Sequence, residues 1–184
     1  MPTYEPLASK YRPKTLDDFV GQKHLVGENA PIKNFLDSGK IPSMIFWGPP
    51  GTGKTTLAYI ISLNLFYDFY KLQAVNSGKD DLRKIIKLAL SNQQYGKKTI
   101  LFLDEIHRWN KAQQDALLPY VEKGIIILIG ATTENPSFSV NSPLLSRTKV
   151  FVFKQQTEEE IYGLLKEIAK KEFPDITINK KELE

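Results

Sequence analysis

Short runs of consecutive apolar residues alternate along this chain with stretches in which apolar positions recur every three or four residues. Met44-Ile45-Phe46-Trp47 is a continuous apolar run that suits a buried strand. After it, Leu57, Ile60, Ile61 and Leu65 recur at helical spacing. A second strand is expected near 70–75, and then a helix with Leu82, Ile85, Ile86, Ala89 and Leu90 on one face. The pattern continues with a strand at 99–104, a helix near 110–122, a strand at 125–132 opening with Ile125-Ile126-Ile127-Leu128-Ile129, and a last strand at roughly 149–153. Pro119 falls inside the fourth of the expected helices, where its ring removes a backbone donor and should kink the helix or end it early. Residues 1–40 are polar and punctuated by proline and glycine, and are expected to wrap the core as a loop with a short helix. Apolar strands separated by amphipathic helices imply an α/β fold: a parallel sheet covered on both faces.

After Phe153 the pattern changes. Ile161, Leu164, Leu165, Ile168 and Ala169 mark one more amphipathic helix, opened by Thr157 with Glu160 three residues on, the spacing of a capping box, and closed by Pro174. A further helix is expected to start at the terminal Lys-Glu-Leu-Glu. One helix and a fragment cannot bury a core of their own. The chain is therefore expected to divide into a core over 1–153 and the beginning of a truncated helical domain over 154–184.

Composition narrows the class. With 41% hydrophobic and 25% charged residues the chain is ordinary for a globular protein. No apolar run approaches the roughly 20 residues of a membrane span, so no membrane partner is expected. The N-terminus lacks the basic and apolar regions of a secretion signal. Having no cysteines, the chain cannot form disulfides, thiolate metal sites or cysteine nucleophiles, which fits a cytoplasmic protein. A net charge of +4 permits nucleic-acid binding without demanding it, and the lysine pairs 97–98, 170–171 and 180–181 are too scattered to make a binding stripe.

The chemistry is concentrated in four places. Gly48-Pro49-Pro50-Gly51-Thr52-Gly53-Lys54-Thr55, followed by Thr56, is a phosphate-binding loop between a strand and a helix. Its glycines leave backbone N–H groups free to face phosphates, and the helix N-terminus adds its dipole. Lys54 would reach the β- and γ-phosphates of ATP, and the Thr55 hydroxyl would ligate Mg²⁺. Second, Ile100-Leu101-Phe102-Leu103 ends in Asp104-Glu105. A carboxylate at the C-terminal end of a parallel strand sits where such sheets bind ligands, so Asp104 is assigned to Mg²⁺ and Glu105 to the attacking water. The string Asp-Glu-Ile-His also has the form of a helicase box, but His107 reads as a surface or packing residue. Third, Thr133, with Thr132 as the alternate, follows the next strand and is placed to contact the γ-phosphate or the water; capping threonines in a turn are the plainer reading. Fourth, Arg147 in Ser146-Arg147-Thr148 is either an arginine that reaches a neighbouring subunit's γ-phosphate or a surface ion-pair residue. Asn76 and Lys79 fall in the turn before the third helix, where a turn followed by a capped helix start is the plain reading.

Taken together, these motifs resemble an AAA+ ATPase of the clamp-loader clade, a P-loop fold in three layers around a central parallel sheet. Leu7-Ala8-Ser9-Lys10-Tyr11-Arg12-Pro13 and Phe19-Val20-Gly21-Gln22 resemble the segment that lies against adenine in that clade, which implicates Arg12, Pro13, Val20 and Gly21. The strings Asp104–Asp115 and Gly130–Phe138 are similar to the replication-associated recombination protein A family, whose eukaryotic relatives are the Werner-helicase-interacting ATPases. The resemblance covers about residues 6–173. It implies a DNA-dependent ATPase acting at stalled forks and in recombination, associated with the nucleoid. The implied partners are forked or single-stranded DNA bound without sequence preference, a single-stranded-DNA-binding protein and further copies of itself, as a tetramer. It also implies that Thr132 or Thr133 is the first sensor and Arg147 the finger, with Thr148 where cysteine is usual. The rest of the family's helical lid and its oligomerisation domain have no counterpart in these residues. Two other functions fit the same motifs: a nucleotide-switched module that recruits partners with slow hydrolysis as a reset, and a clamp-loader or branch-migration subunit.

Overall fold

The computed structural model describes residues 6–173. Five strands, β1 (Met44–Trp47), β2 (Asp68–Gln73), β3 (Thr99–Asp104), β4 (Ile127–Thr132) and β5 (Lys149–Val152), form one parallel sheet in the order β2-β3-β4-β1-β5. Successive side chains along a strand point to opposite faces, and both faces are buried. Met44, Phe46, Ile100, Phe102 and Ile129 pack on one side with Leu57, Ile60 and Ile61 of α4 (Lys54–Leu65) and Ile32 of α3 (Pro31–Asp37). Ile45, Leu101, Leu103 and Leu128 pack on the other with Leu82, Ile85, Ile86 and Ala89 of α5 (Lys79–Gln94). The three-layer α/β sandwich expected from the pattern is thus the architecture found.

The strand at 99–104 lies where it was expected, and the others begin or end within two residues of expectation. β2 starts earlier because Asp68 is already paired in register with Thr99; Val75, at the far end of the expected span, is exposed. β4 begins at Ile127, so Ile125 and Ile126 are lead-in residues that pack against the core without joining the ladder. The helix expected over 110–122 is broken into α6 (Lys111–Asp115) and α7 (Leu118–Glu122), with Pro119 in the first turn of the second piece, where its missing N–H costs nothing. Leu90 is exposed and does not share the buried face of α5. The N-terminal region holds α1 (Leu7–Lys10), α2 (Lys23–Val26) and α3, more helix than the single short one expected.

The remaining helices are α8 (Pro136–Ser139), α9 (Ser142–Leu145) and α10 (Glu158–Glu172). The Thr157 hydroxyl accepts from the Glu160 N–H and the Glu160 carboxylate accepts from the Thr157 N–H, so the capping box is real. The apolar face of α10 is only partly covered: Ala169 is buried, whereas Ile161 and Leu165 are exposed. Its C-terminal end is tied to the N-terminal region, where Lys10 and the Tyr11 hydroxyl both donate to the Glu172 carboxylate. The expected stop at Pro174 and the helix start at 180–184 lie outside the described residues. No helix among the described residues is long and apolar enough to cross a membrane.

Candidate functional site

β3, β4 and β1 are adjacent, and the loops leaving their C-terminal ends converge. They enclose a cavity of about 390 Å³ lined by residues 50–56, Asp104, Glu105, Ala131, Thr132, Thr133 and Arg12. The phosphate loop, both carboxylates and both threonines are therefore brought together by one sheet edge. Gly48 and Pro49, the first two residues of the loop, do not line the cavity. Pro13 lines a neighbouring hollow that Arg12 also borders, between the N-terminal segment and α10. Val20 and Gly21 lie against the linker after β5. There the Gln156 side chain donates to the Val20 carbonyl, and Gln22 exchanges two hydrogen bonds with the Lys154 backbone.

The loop's shape follows from its glycines. Gly51 has φ +76°, and a Cβ there would meet nothing within 4 Å, so the backbone is open to an approaching group. Gly53 has φ +91°, and a Cβ would come 2.8 Å from the Phe19 ring. Both conformations are ones that glycine alone adopts freely. The Thr52 hydroxyl donates to the Pro49 carbonyl at 2.9 Å and closes the turn from inside. Lys54 curls over the loop, its ammonium donating to the carbonyls of Gly48 and Pro49 at 2.7 and 2.6 Å. Burial lowers the Lys54 pKa and the nearby Asp104 carboxylate partly restores it. Anionic phosphates would favour the charged lysine further.

Asp104 is half-buried and Glu105 is exposed at the cavity's edge. Glu105 has φ 53° and ψ 46°, a left-handed conformation that a residue with a Cβ rarely adopts, and it caps a single 3₁₀ turn over Ile106–Arg108. This strained turn swings the chain out of β3 immediately after Asp104. Glu105 and Asp104 also border a second hollow of about 340 Å³ with Gln73, Val75 and Asn76. Asn76 is thus placed beside Glu105, and Lys79 is exposed at the start of α5.

A magnesium ion fits this chemistry in a particular way. Among the described residues no group of three or more His, Cys, Asp or Glu is placed to hold a metal ion by itself. Magnesium, however, usually takes only one or two protein oxygens and completes its shell with phosphate and water. The Thr55 hydroxyl and the Asp104 carboxylate, beside a backbone cradle for phosphates, are such a donor set.

Thr132 and Thr133 differ in environment. Thr132 is 1% exposed. Its hydroxyl lies 3.0 Å from His107 Nδ1 and accepts from the Glu134 N–H at 3.0 Å. Thr133 is exposed. His107 is a packing residue, its side chain 5% exposed, with Nε2 at 3.8 Å from Glu134. Arg147 does not line the cavity. It follows α9, where its guanidinium pairs with Glu122 at 2.6 Å and donates to the Pro143 carbonyl at 2.7 Å. Two residues around the site had no signal in the sequence. Lys71 of β2 forms an ion pair with Asp104 at 3.2 Å. Gln114, buried, donates to the carbonyls of Trp109 and Ser139 and accepts from the Asn141 N–H, bracing the turn after β3 to the segment after β4.

Residues 44–156 match the family described as "ATPase family associated with various cellular activities (AAA)". The chain is 51% identical to the replication-associated recombination protein A of Haemophilus influenzae, over 89% of this chain and 37% of that protein. It is 48% identical to the protein of the same name from Escherichia coli K12, over 89% and 36%. With the ATPase WRNIP1 of Dictyostelium discoideum it shares 51% identity, over 89% and 19%. It spans little more than a third of the bacterial relatives' length. Among solved structures it is similar to the RuvB Holliday junction branch migration motor of Thermotoga maritima, with TM-score 0.75 and 30% identity over 92% of this chain and 57% of that one. The resemblance read from the motifs is borne out.

Proposed function

Because the chain belongs to the AAA ATPase family, we propose that it is the nucleotide-binding core of an ATP hydrolase that acts on DNA in replication-associated recombination. The observation that carries this reading is the convergence of Lys54, Thr55, Asp104, Glu105 and Thr133 on one cavity at the C-terminal edge of the sheet. The loop amides and Lys54 bind the phosphates. Thr55 and Asp104 would hold Mg²⁺, which would supply positive charge beside the phosphates. Glu105 orients the attacking water. Thr133 contacts the γ-phosphate, since its hydroxyl is the exposed one of the pair. Arg12 lines the cavity, Pro13 borders the neighbouring hollow that Arg12 shares, and Val20 and Gly21 belong to the same N-terminal region, where adenine would lie. Arg147 serves a neighbouring copy in a homo-oligomer; its position outside its own chain's cavity favours action in trans.

The biological setting rests on the relatives named replication-associated recombination protein A. DNA, forked or single-stranded, and a single-stranded-DNA-binding protein are the partners this setting proposes, in the cytoplasm with the nucleoid. Among the described residues no element that would read bases stands out, so DNA binding would be electrostatic and independent of sequence. The test is the ATPase rate of the chain extended through its lid and C-terminal regions, with and without forked and single-stranded DNA, beside residues 1–184 alone. DNA-stimulated turnover in the long form and little in the short form is the expected result. Equal, DNA-indifferent rates in both would refute the DNA-dependent reading.

A further inference from the structure

Asp104, the proposed metal ligand, does not stand alone on its strand. Lys71 lies on the neighbouring strand β2, where Lys71 is in register with Phe102 and Gln73 with Asp104. Residues two apart on a strand share a face, so Lys71 and Asp104 are diagonal neighbours across the β2–β3 pair. The Lys71 ammonium sits 3.2 Å from Asp104 Oδ2 and 5.8 Å from the centre of the Phe102 ring. It reaches the carboxylate from the β2 side, and Lys71 is not among the residues lining the cavity that Asp104 shares with the phosphate loop.

From this geometry we infer that Lys71 is a positioning residue for the metal-binding carboxylate: it fixes one oxygen of Asp104 so that the other is presented to Mg²⁺. The inference rests on the reading of the cavity as an Mg²⁺–nucleotide site. A carboxylate has about four lone-pair sites, enough to hold an ammonium and a metal at once. The Phe102 face keeps the lysine from swinging into solvent, which matters because the pair is only partly buried, with side-chain exposures of 37% and 28%. Groups that hydrogen-bond a ligating carboxylate set its orientation, and their removal weakens metal binding or activity about 10–100-fold. Lys71 has a second electrostatic consequence. With Lys54 close enough to feel its charge, Asp104 faces two cations before any metal arrives.

The test is binding of a fluorescent ATP analogue to the full chain, titrated in EDTA and in rising Mg²⁺, for wild type, Lys71→Met, Lys71→Arg and Asp104→Asn. In EDTA all four should bind alike within about 2-fold, and the Mg²⁺ midpoint of Lys71→Met should rise about 10-fold, with Lys71→Arg restoring it to within about 3-fold. Asp104→Asn should lose at least as much as Lys71→Met. An unchanged or lowered Mg²⁺ midpoint in Lys71→Met would overturn the inference, because the lysine would then be a bystander or a competitor of the metal. Equal losses in EDTA and Mg²⁺, or no rescue by arginine, would overturn it too, since Lys71 would then serve only folding. Both results leave the reading of the site intact. A wild type indifferent to Mg²⁺, or an Asp104→Asn that behaves as wild type, would instead refute the site reading and this inference with it.

Discussion

The Thr132 hydroxyl and His107 Nδ1 lie 3.0 Å apart, both side chains out of solvent. This contact joins the turn that carries Glu105 to the end of β4, and it occupies the hydroxyl that would compete with Thr133 for the γ-phosphate under the proposed reading. A buried hydroxyl already bonded to His107 and to the Glu134 N–H is a structural group.

The two threonines should therefore fail differently. Thr133→Ala should lower kcat by about 10-fold or more, in the range of lost general positioning groups, while leaving nucleotide affinity and melting temperature near wild type. Thr132→Val should lower the melting temperature, because His107 and the Glu134 N–H lose a buried partner at a cost of about 1–3 kcal/mol. Measuring kcat, ATP affinity and thermal midpoint for both variants decides the matter. A Thr132→Val that is stable but catalytically dead would exchange the two roles.

Arg147 is held by Glu122 and by the Pro143 carbonyl within its own chain, so it is oriented before any partner arrives. Removing it should leave ATP binding intact and slow hydrolysis by about 10³-fold or more in the assembled long protein, as for other trans-acting arginines. Mixing Arg147→Ala with Glu105→Gln subunits should restore part of the activity. In such mixtures some sites pair an intact Glu105 with a neighbour's intact Arg147. Absence of any recovery in mixed assemblies would place Arg147 on the surface, as a simple ion-pair residue.

Gln114 uses its whole carboxamide: two donors to the Trp109 and Ser139 carbonyls and one acceptor for the Asn141 N–H. Gln114→Leu keeps a similar volume but strands three backbone groups at a buried position. Each unsatisfied group costs about 1–3 kcal/mol, and partial relaxation should leave a net loss of about 2–4 kcal/mol. Urea denaturation should show a lower midpoint with an unchanged slope. A loss below about 0.5 kcal/mol would mean that water replaces the amide without penalty.

The parts of this molecule that were legible in the sequence are those fixed by neighbours along the chain. The phosphate loop is eight consecutive residues, the Thr157–Glu160 box spans a single turn, and the break at Pro119 follows from a covalent ring. Asp104-Glu105 was legible because an apolar strand run ends in it. Lys71 and Gln114 were not, because their roles depend on partners brought close by strand pairing and by the packing of α6 on α9. On its strand Lys71 looks like any solvent-facing lysine, and only the β2–β3 register sets it against Asp104. The left-handed Glu105 was equally hidden, since nothing in its residue type asks for positive φ. The face of α10 was legible only in part. Its helical period is correct, but period alone does not say whether anything covers Ile161 and Leu165.

Two carboxylates make stability depend on acid in a definable direction. Hydrogen bonds from Lys10 and Tyr11 hold the Glu172 carboxyl below its ordinary range, and the Gly78 N–H, with Lys84, does the same for Asp81 at the start of α5. A carboxyl with a lower pKa folded than unfolded binds fewer protons in the folded state, so stability rises with pH between the two values. The contribution is complete above the unfolded values, about 3.9 for Asp and 4.3 for Glu, and is lost as pH falls through the lower folded ones. Thermal midpoints should therefore be level from about pH 7 to 5 and fall steeply below about pH 4. Glu172→Gln and Asp81→Asn should each lower the midpoint at neutral pH and flatten the acid limb. Glu172→Gln should do so while loosening the end of α10 from the N-terminal segment, seen as faster amide exchange near residues 168–172. Both groups are only partly buried, so raising the salt concentration should shrink the Lys10–Glu172 part of the effect and spare the backbone hydrogen bond to Asp81. An acid limb identical in wild type and both variants would assign acid unfolding to other carboxylates.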